Sequence, residues 1–531
     1  MSELLLTLLP IVVLLVMLVG LKKPADISGI VGWLVVSVVA VLFFKTSFEV
    51  IARSTAAGFI RSFTVSLVVA ASMLQMAYME KTGALKRVVI FLKTIAADNK
   101  AVQIMIINIG FGTLMVAVGA TPGSVLPPIM MAIGYSAFIS IALPSIGYDS
   151  LCTYALLGAP LVVFVDTVNQ FLGKGHEVTL SQVGSIFFMF LPVVSTLIGF
   201  SMLWIVGKWK AIKEGWLPCA ISGLVITIVS YFTNKVDRLV VLTGIFCGVA
   251  VIAAMIIYLV ATGKKVIDKS KLTRDELEYE KSFPLWKALA PWGLLIILIL
   301  ALNIPKESFE FLYKTHPVPI EGIAANGKPI LTRALWNAYT WIFVSIFLSM
   351  LILRPKASQV KEAFVVWKKR APRPVFAAAI FFVIGEIMNT AGFNMVTKKF
   401  ETESMVQVLA NFSAKTFESI YGGVVGFVGL LGGFITGSEA STIGMFGNYA
   451  LKTAQGLNMD LNSLLIIGAG LAFGGGLASV ISPAKLQNAA ASIDRMGEET
   501  KVIRTAFVFA LILTTISSAL VMIILKTGIV K

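Results

Sequence analysis

Three cysteines, two histidines and few charged residues are what this 531-residue chain has least of. Cys152, Cys219 and Cys247 stand far apart in apolar surroundings, without zinc-ligand spacing and without a disulfide framework. His176 and His316 fall in loops or near the ends of apolar runs, which argues against a metal site of the His/Cys kind. Charged residues make up only 14% of the chain, well short of what a soluble domain carries on its surface. There is no P-loop, no nucleophile–base–orienter set and no paired metal motif. The loops at 262–285 and 304–333 are too short to be catalytic domains. These absences argue against an enzyme and call for no cofactor.

What the chain has in abundance is apolar sequence. It is 57% hydrophobic, with a mean hydropathy of +0.89. Apolar runs of spanning length lie at 4–20, 28–44, 57–78, 182–206, 214–232, 238–261, 286–303, 334–353, 374–393 and 504–526, with further apolar chain at 102–171 and 405–484. Together they predict an all-α polytopic membrane protein with about twelve transmembrane helices. The first run has no basic stretch before it and no small-residue cleavage site after it, and Lys22 and Lys23 follow it. It reads as a retained span rather than a cleaved signal.

The net charge is +16, from 44 basic and 28 acidic residues. The basic residues gather in alternate loops: Lys22/Lys23, the Lys81–Lys100 segment, Lys208/Lys210/Lys213, the 264–287 loop, and Lys356 to Arg373. The intervening loops at 303–333 and 394–404 are mixed in charge. This is the positive-inside pattern and predicts an N-terminus outside, with the C-terminus on the same side if the crossings are even in number. No basic patch lies in a foldable soluble module, so nucleic acid is not an expected partner.

Two regions break the span pattern. The first, at 102–171, holds AVGATPGSVLPPIM and ALPSIGYDSLC. The second, at 405–492, holds GGFITGSEASTIGMFG and AFGGGLASVISPAKLQNAA. Each falls late in its half of the chain, so the expected organisation is a half at 1–261, a cytoplasmic linker at 262–285 and a half at 286–531. Paired interrupted spans in corresponding positions suggest an inverted-repeat secondary transporter and point to its binding site. Irregular backbone at membrane depth is tolerated only where protein buries it or a wet cavity lines it.

Within the breaks, Thr121-Pro122 has the grammar of a helix start, an N-cap followed by proline at the first helical position. Gly119, Gly123 and Ser124 beside it allow close approach, either of an anion to free N–H groups or of a packed helix. Ser482-Pro483 repeats that grammar and puts Lys485 in the first turn, where it opposes the helix dipole unless an anion or a protein carboxylate is near. Snorkelling to the interface is the alternative. Thr436 to Glu439 fits a capping box, T-x-x-E, and Ser438, Ser441, Thr442 and Met445 recur at helical spacing. That hydroxyl stripe suits a carboxylate, a cation, or small-residue packing between helices.

Among ionisable residues in apolar chain, Glu386 in FFVIGEIMNTAG is the first proton-carrier candidate, with Asn389 on the same face. Asp149 in PSIGYDS is the second. Glu418 is placed to pair with Lys415 three residues earlier. Arg61 in GFIRSF reads as an entrance residue or a snorkelling one.

Four stretches taken in order, EKTGALKRVVIFL at 80–92, AIKEGWLPC at 211–219, GFITGSEASTIGMFG and ASVISPAKLQNAAAS, resemble the L-lactate permease family. That resemblance implies a bacterial plasma-membrane symporter that imports L-lactate, D-lactate and glycolate with protons. It implies a substrate site near Thr436, Ser438, Ser441, Thr442 and Ser482, with Lys485 added by position. It also puts Glu439 near the site, where it joins Glu386 and Asp149, singled out by their apolar surroundings, as a proton-coupling candidate. One signature departs from the family pattern: MVAVGATPGS at 115–124 has Met115 or a neighbour where an acidic residue is expected. The second signature has Glu439 in place of aspartate. A sodium-coupled carboxylate or dicarboxylate carrier is therefore the alternative, with a membrane enzyme, receptor or channel further off. A small carboxylate, protons or sodium, and the bilayer are the expected partners; monomer and homo-oligomer stay open.

Overall fold

The computed structural model describes residues 2–96, 98–120, 122–173 and 175–529, with the backbone alone at Ser2, Ser124 and Ala484. Thr121 lies outside the described residues, as does the side chain of Ser124. Among the described residues eleven helical segments are long and apolar enough to cross a membrane. Two shorter apolar helices, Ala290–Asn303 and Ala338–Leu353, join them. The only strands among the described residues form two small antiparallel ribbons, Val318–Ile320 with Ile330–Thr332 and Phe393–Asn394 with Lys399–Phe400. The chain is thus a polytopic all-α membrane protein.

Ion pairs and loop contacts define two faces. On one, the linker helix Arg274–Ser282 lies on the surface helix Ala84–Thr94 through Arg87–Glu280 and Lys93–Glu276, and Arg373 pairs with Asp26. On the other, the Val318–Thr332 ribbon region meets the chain near residues 53 and 166–170, through Arg53 to the Gly322 carbonyl and Arg333 to Asp166. These are called the linker face and the ribbon face below.

The two interrupted regions are built alike and point in opposite directions. In the first, the arm Lys100–Ala117 leads into a turn at 118–120, and the chain returns as Pro122–Ala132, with Asn108 opposite Met130 and Gly112 opposite Leu126. This hairpin starts next to Ile95, which bridges to Ile267 of the linker, so it opens to the linker face. A broken crossing follows: Ala137–Gly147, a 3-10 turn at Tyr148–Tyr154, then Ala155–Leu172, which ends on the ribbon face where Lys328 reaches the Gln170 carbonyl. In the second region, the hairpin Tyr421–Thr436 and Glu439–Gly456 opens to the ribbon face, where Lys452 bonds Ser404. Its broken crossing runs Leu461–Ser479, then Pro483–Ala491, back toward the linker face. A re-entrant hairpin and a broken crossing, repeated upside down, make the inverted repeat.

Glycine explains how the second hairpin sits so deep. A Cβ on Gly433 would run into the Gly475 carbonyl, so the two helices touch backbone to backbone, as small residues permit in membranes. The arms Lys100–Ala117 and Leu461–Ser479 are the most enclosed spans, with 83% of their residues buried, against 28% for the first span. The interrupted elements therefore form the centre and the terminal helices face lipid.

Several spans differ from the sequence reading. The run at 57–78 is two helices, Phe48–Arg61 and Phe63–Lys81, parted at Ser62. The run at 182–206 starts with a separate short helix, Leu180–Phe188; its remainder and the run at 214–232 are two antiparallel helices that turn back at Gly207 and Lys208, with Gly199 against Cys219 and Gly223 against Thr196. Met405–Phe417 is a separate helix that crosses the second hairpin, with Ser413 on Tyr449 and Ala414 on Gly456.

Candidate functional site

Each hairpin tip touches the break of its own crossing. A Cβ on Gly119 would meet Leu156, and one on Gly437 would meet Ser482. Glycine is required at both tips because φ is +89° and +67° there. The first break also holds Leu156, Leu157 and Gly158 in the left-handed region, with φ of 53°, 57° and 73°. Leucine in that conformation carries a cost of about 1–2 kcal/mol per residue, so the surrounding fold must impose it.

The two breaks then meet each other. Thr153 Oγ1 donates to Glu439 Oε1 at 2.8 Å. Cys152 Sγ lies 3.8 Å from Ser479 Oγ. Lys485 Nζ donates to the Tyr148 hydroxyl at 3.2 Å and to Ser479 Oγ at 3.4 Å, and sits 5.6 Å from the Tyr148 ring centroid. Asp149 is 6% exposed, and its Oδ1 has no hydrogen-bond partner. No ion pair within 4 Å joins it to Lys485, which instead holds the neighbouring Tyr148. Residues from four elements thus converge on one enclosed cluster with two carboxyl groups and one ammonium. A Cβ on Gly476 would strike Glu439 Oε2, so glycine there makes room for the carboxyl group.

Two helices start at this cluster. Glu439 is the first residue of Glu439–Gly456 and Lys485 the third of Pro483–Ala491. A carboxylate at a helix N-terminus is favoured and an ammonium there disfavoured. Lys485 is held by the Tyr148 and Ser479 oxygens rather than by snorkelling. Ser482 occupies the N-cap position without a side-chain cap bond.

The capping box expected from Thr436 to Glu439 does not form. Ser438 is the cap and accepts from the Ser441 N–H at 3.2 Å. Thr436 Oγ1 instead accepts from the Ser438 N–H at 3.1 Å, and the Glu439 carboxyl is turned to Thr153. The rest of the hydroxyl stripe is used within the fold. Thr442 Oγ1 donates to the Ser438 carbonyl at 2.8 Å, and Ser441 Oγ to the Ala378 carbonyl at 3.3 Å. No ion pair joins Glu418 to Lys415; Glu418 begins the turn between helices with φ of 43°.

Glu386 stands apart from the cluster. Its Oε2 lies 3.3 Å from Arg61 Nε, and Arg61 also bonds Gln170 of the first broken crossing. Sequence reasoning missed Tyr148, Thr153, Ser479 and Gly476. Only the adjacency of Thr153 and Tyr148 to Asp149, and of Ser479 to Ser482, hinted at them.

On the first crossing's other side, Thr64, Leu156, Leu157, Trp336 and Asn337 line a small cavity of about 20 Å³, room for about one water, below the ribbon face. Its floor is the left-handed turn that separates it from Thr153 and the cluster.

The glycolate permease GlcA of Escherichia coli is 20% identical, with 96% of this chain and 94% of that protein covered. The L-lactate permease of Salmonella typhi is 22% identical, with 95% and 93% covered. Among solved structures, the YdaH transporter of Alcanivorax borkumensis is 12% identical, with 90% and 88% covered and a TM-score of 0.45. The model of the L-lactate permease family matches residues 3–527, and the chain, a permease and not an enzyme, belongs to that family.

Proposed function

We propose that this permease carries L-lactate and related small 2-hydroxy monocarboxylates, D-lactate and glycolate, into the bacterial cell with protons. The observation that carries the reading is the convergence of Lys485, Asp149 and Glu439 where two broken crossings meet. An ammonium and two helix N-termini suit a carboxylate; a buried carboxyl group suits a proton. The names of the relatives support the choice of cargo. Gly119, Gly123 and Ser124 of the first tip, with Ser438 and Ser482 of the second, form the approaches. The linker face is cytoplasmic, by its lysines and arginines, and both termini are outside.

Glu386 takes a lesser part in coupling than Asp149, because Arg61 already neutralises it. The experiment is uptake of radiolabelled L-lactate into proteoliposomes under an inward proton gradient without sodium, then under sodium alone, with glycolate and dicarboxylates as competitors. Proton-driven accumulation blocked by glycolate is the expected result. Uptake only under sodium, or only of a dicarboxylate, would replace proton or lactate in this assignment. Conduction that is purely downhill and electrical would make the protein a channel.

A further inference from the structure

The cluster holds two buried carboxyl groups and one half-buried ammonium. Leaving an unpaired charge in such a place costs several kcal/mol, so a stable cluster is close to neutral. One of the two acids therefore keeps a proton while the other balances Lys485. The geometry separates them. Glu439 is held by a neutral hydroxyl, Thr153, and its second oxygen lies against Gly476. Asp149 has a bare oxygen, Oδ1, and follows Tyr148, whose hydroxyl accepts from Lys485 at 3.2 Å. The titratable groups around Asp149 are Tyr148 and Cys152 on its own turn, Glu439 on the second hairpin and Lys485 on the second crossing.

Lys485 itself is held at 3.2 and 3.4 Å by two uncharged oxygens, the Tyr148 hydroxyl and Ser479 Oγ. Neither cancels its charge, and an incoming carboxylate can take the place of either.

We infer that Lys485 exchanges its counter-charge, from Asp149 in the empty permease to the substrate carboxylate in the loaded one, and that Asp149 must then take up one proton. This rests on the proposed monocarboxylate cargo. The balance is simple. The empty cluster is Lys485 ammonium with Asp149 carboxylate. The loaded cluster is Lys485 ammonium with substrate carboxylate and Asp149 carboxylic acid. One carboxylate and one proton enter together, no covalent bond to the substrate forms, and the cluster's net charge does not change. Glu439 keeps its proton throughout and acts as a positioning residue through Thr153.

Two consequences are distinctive. The coupling ratio is one proton per carboxylate, and transport is electrically silent. A conventional pair of titrating acids would carry two protons and net positive charge.

The test uses the purified full-length protein. Calorimetry of L-lactate binding in buffers of different ionisation enthalpy reads the protons taken up per lactate bound. The expected value is one for wild type and none for Asp149→Asn, whose amide already mimics the protonated acid. In proteoliposomes, the final accumulation under a proton gradient should not change when a potassium diffusion potential of either sign is imposed. Asp149→Asn should exchange labelled for unlabelled lactate but no longer accumulate it above equilibrium. Lys485→Met should lose lactate binding, read as loss of the thermal shift. Glu439→Gln should slow uptake yet keep the ratio of one.

A ratio of two, accumulation that follows the membrane potential, or proton uptake that survives in Asp149→Asn overturns the exchange. The wild-type calorimetry decides the ratio even if a variant does not fold. If wild type binds and moves neither lactate nor glycolate, the cargo assignment itself fails; if it moves them with the wrong ratio, the exchange alone fails.

Discussion

Arg61 Nε lies 3.3 Å from Glu386 Oε2, and the pair joins the gap between two helices near the membrane's ribbon-face half to a third helix, Pro372–Thr390. Glu386 is 6% exposed and Arg61 16%. Such pairs matter chiefly when one partner is removed. Arg61→Met should lower stability by about 3 kcal/mol because it strands the Glu386 charge. Arg61→Met with Glu386→Met should recover most of that loss. Thermal unfolding in detergent checks both, and equal losses in the single and double variants would show that the pair is not formed.

Close helix contact at glycine gives a second prediction. Gly433→Ala drives a methyl group into the Gly475 carbonyl and should destabilise by about 1–3 kcal/mol, with loss of uptake. Gly123→Ala meets nothing within 4 Å and should leave the unfolding temperature where it is. A raised KM in that second variant would then report on the substrate path rather than on the fold.

The ribbon face supplies a third. The three native cysteines are buried, so the background of thiol labelling is low. Glu321→Cys and Asn326→Cys place an exposed thiol in the loop of the ribbon. A membrane-impermeant thiol reagent added to whole cells should label both. Labelling only in inside-out vesicles would reverse the orientation assigned here.

At the linker face the fourth prediction concerns pH. Burial pushes the Glu276 carboxyl up, but the Lys93 ammonium and the Thr273 N–H together hold it below its usual value of 4.5. A carboxylate with a lowered pKa stabilises the folded state above the unfolded value, and that contribution fades as the pH falls through the folded one. The docking of helix Arg274–Ser282 should therefore be complete at neutral pH and weaken below about 4.5. Glu276→Gln should abolish this dependence and loosen the linker by about 1 kcal/mol. Proteolysis within the 264–273 segment, followed against pH, measures it.

Much of this architecture is legible in the sequence, for definite reasons. A run of some twenty apolar residues has no soluble alternative, so the spans show themselves. Thr121-Pro122 and Ser482-Pro483 announce helix starts because proline lacks an N–H and fixes φ. Lysines and arginines mark one set of loops because of the membrane's own asymmetry.

The site was only half legible. Lys485 and Asp149 stand out because charge in apolar chain is costly. Thr436 to Glu439 matches a capping box by spacing, yet Ser438 takes the cap because the Glu439 carboxyl finds Thr153, 286 positions away in the chain. Glu386 looks like a lone buried acid until Arg61, far off in sequence, is seen against it.

The sequence by itself determined the membrane class, the two interrupted regions, the basic face and the identity of the buried charges, since each follows from local composition and backbone chemistry. Tertiary structure alone decided which charge meets which. The inverted repeat brings Lys485 to Tyr148 and Glu439 to Thr153 across the two halves of the chain, and leaves Glu386 to Arg61, because partners across antiparallel crossings are set by helix packing and not by sequence spacing.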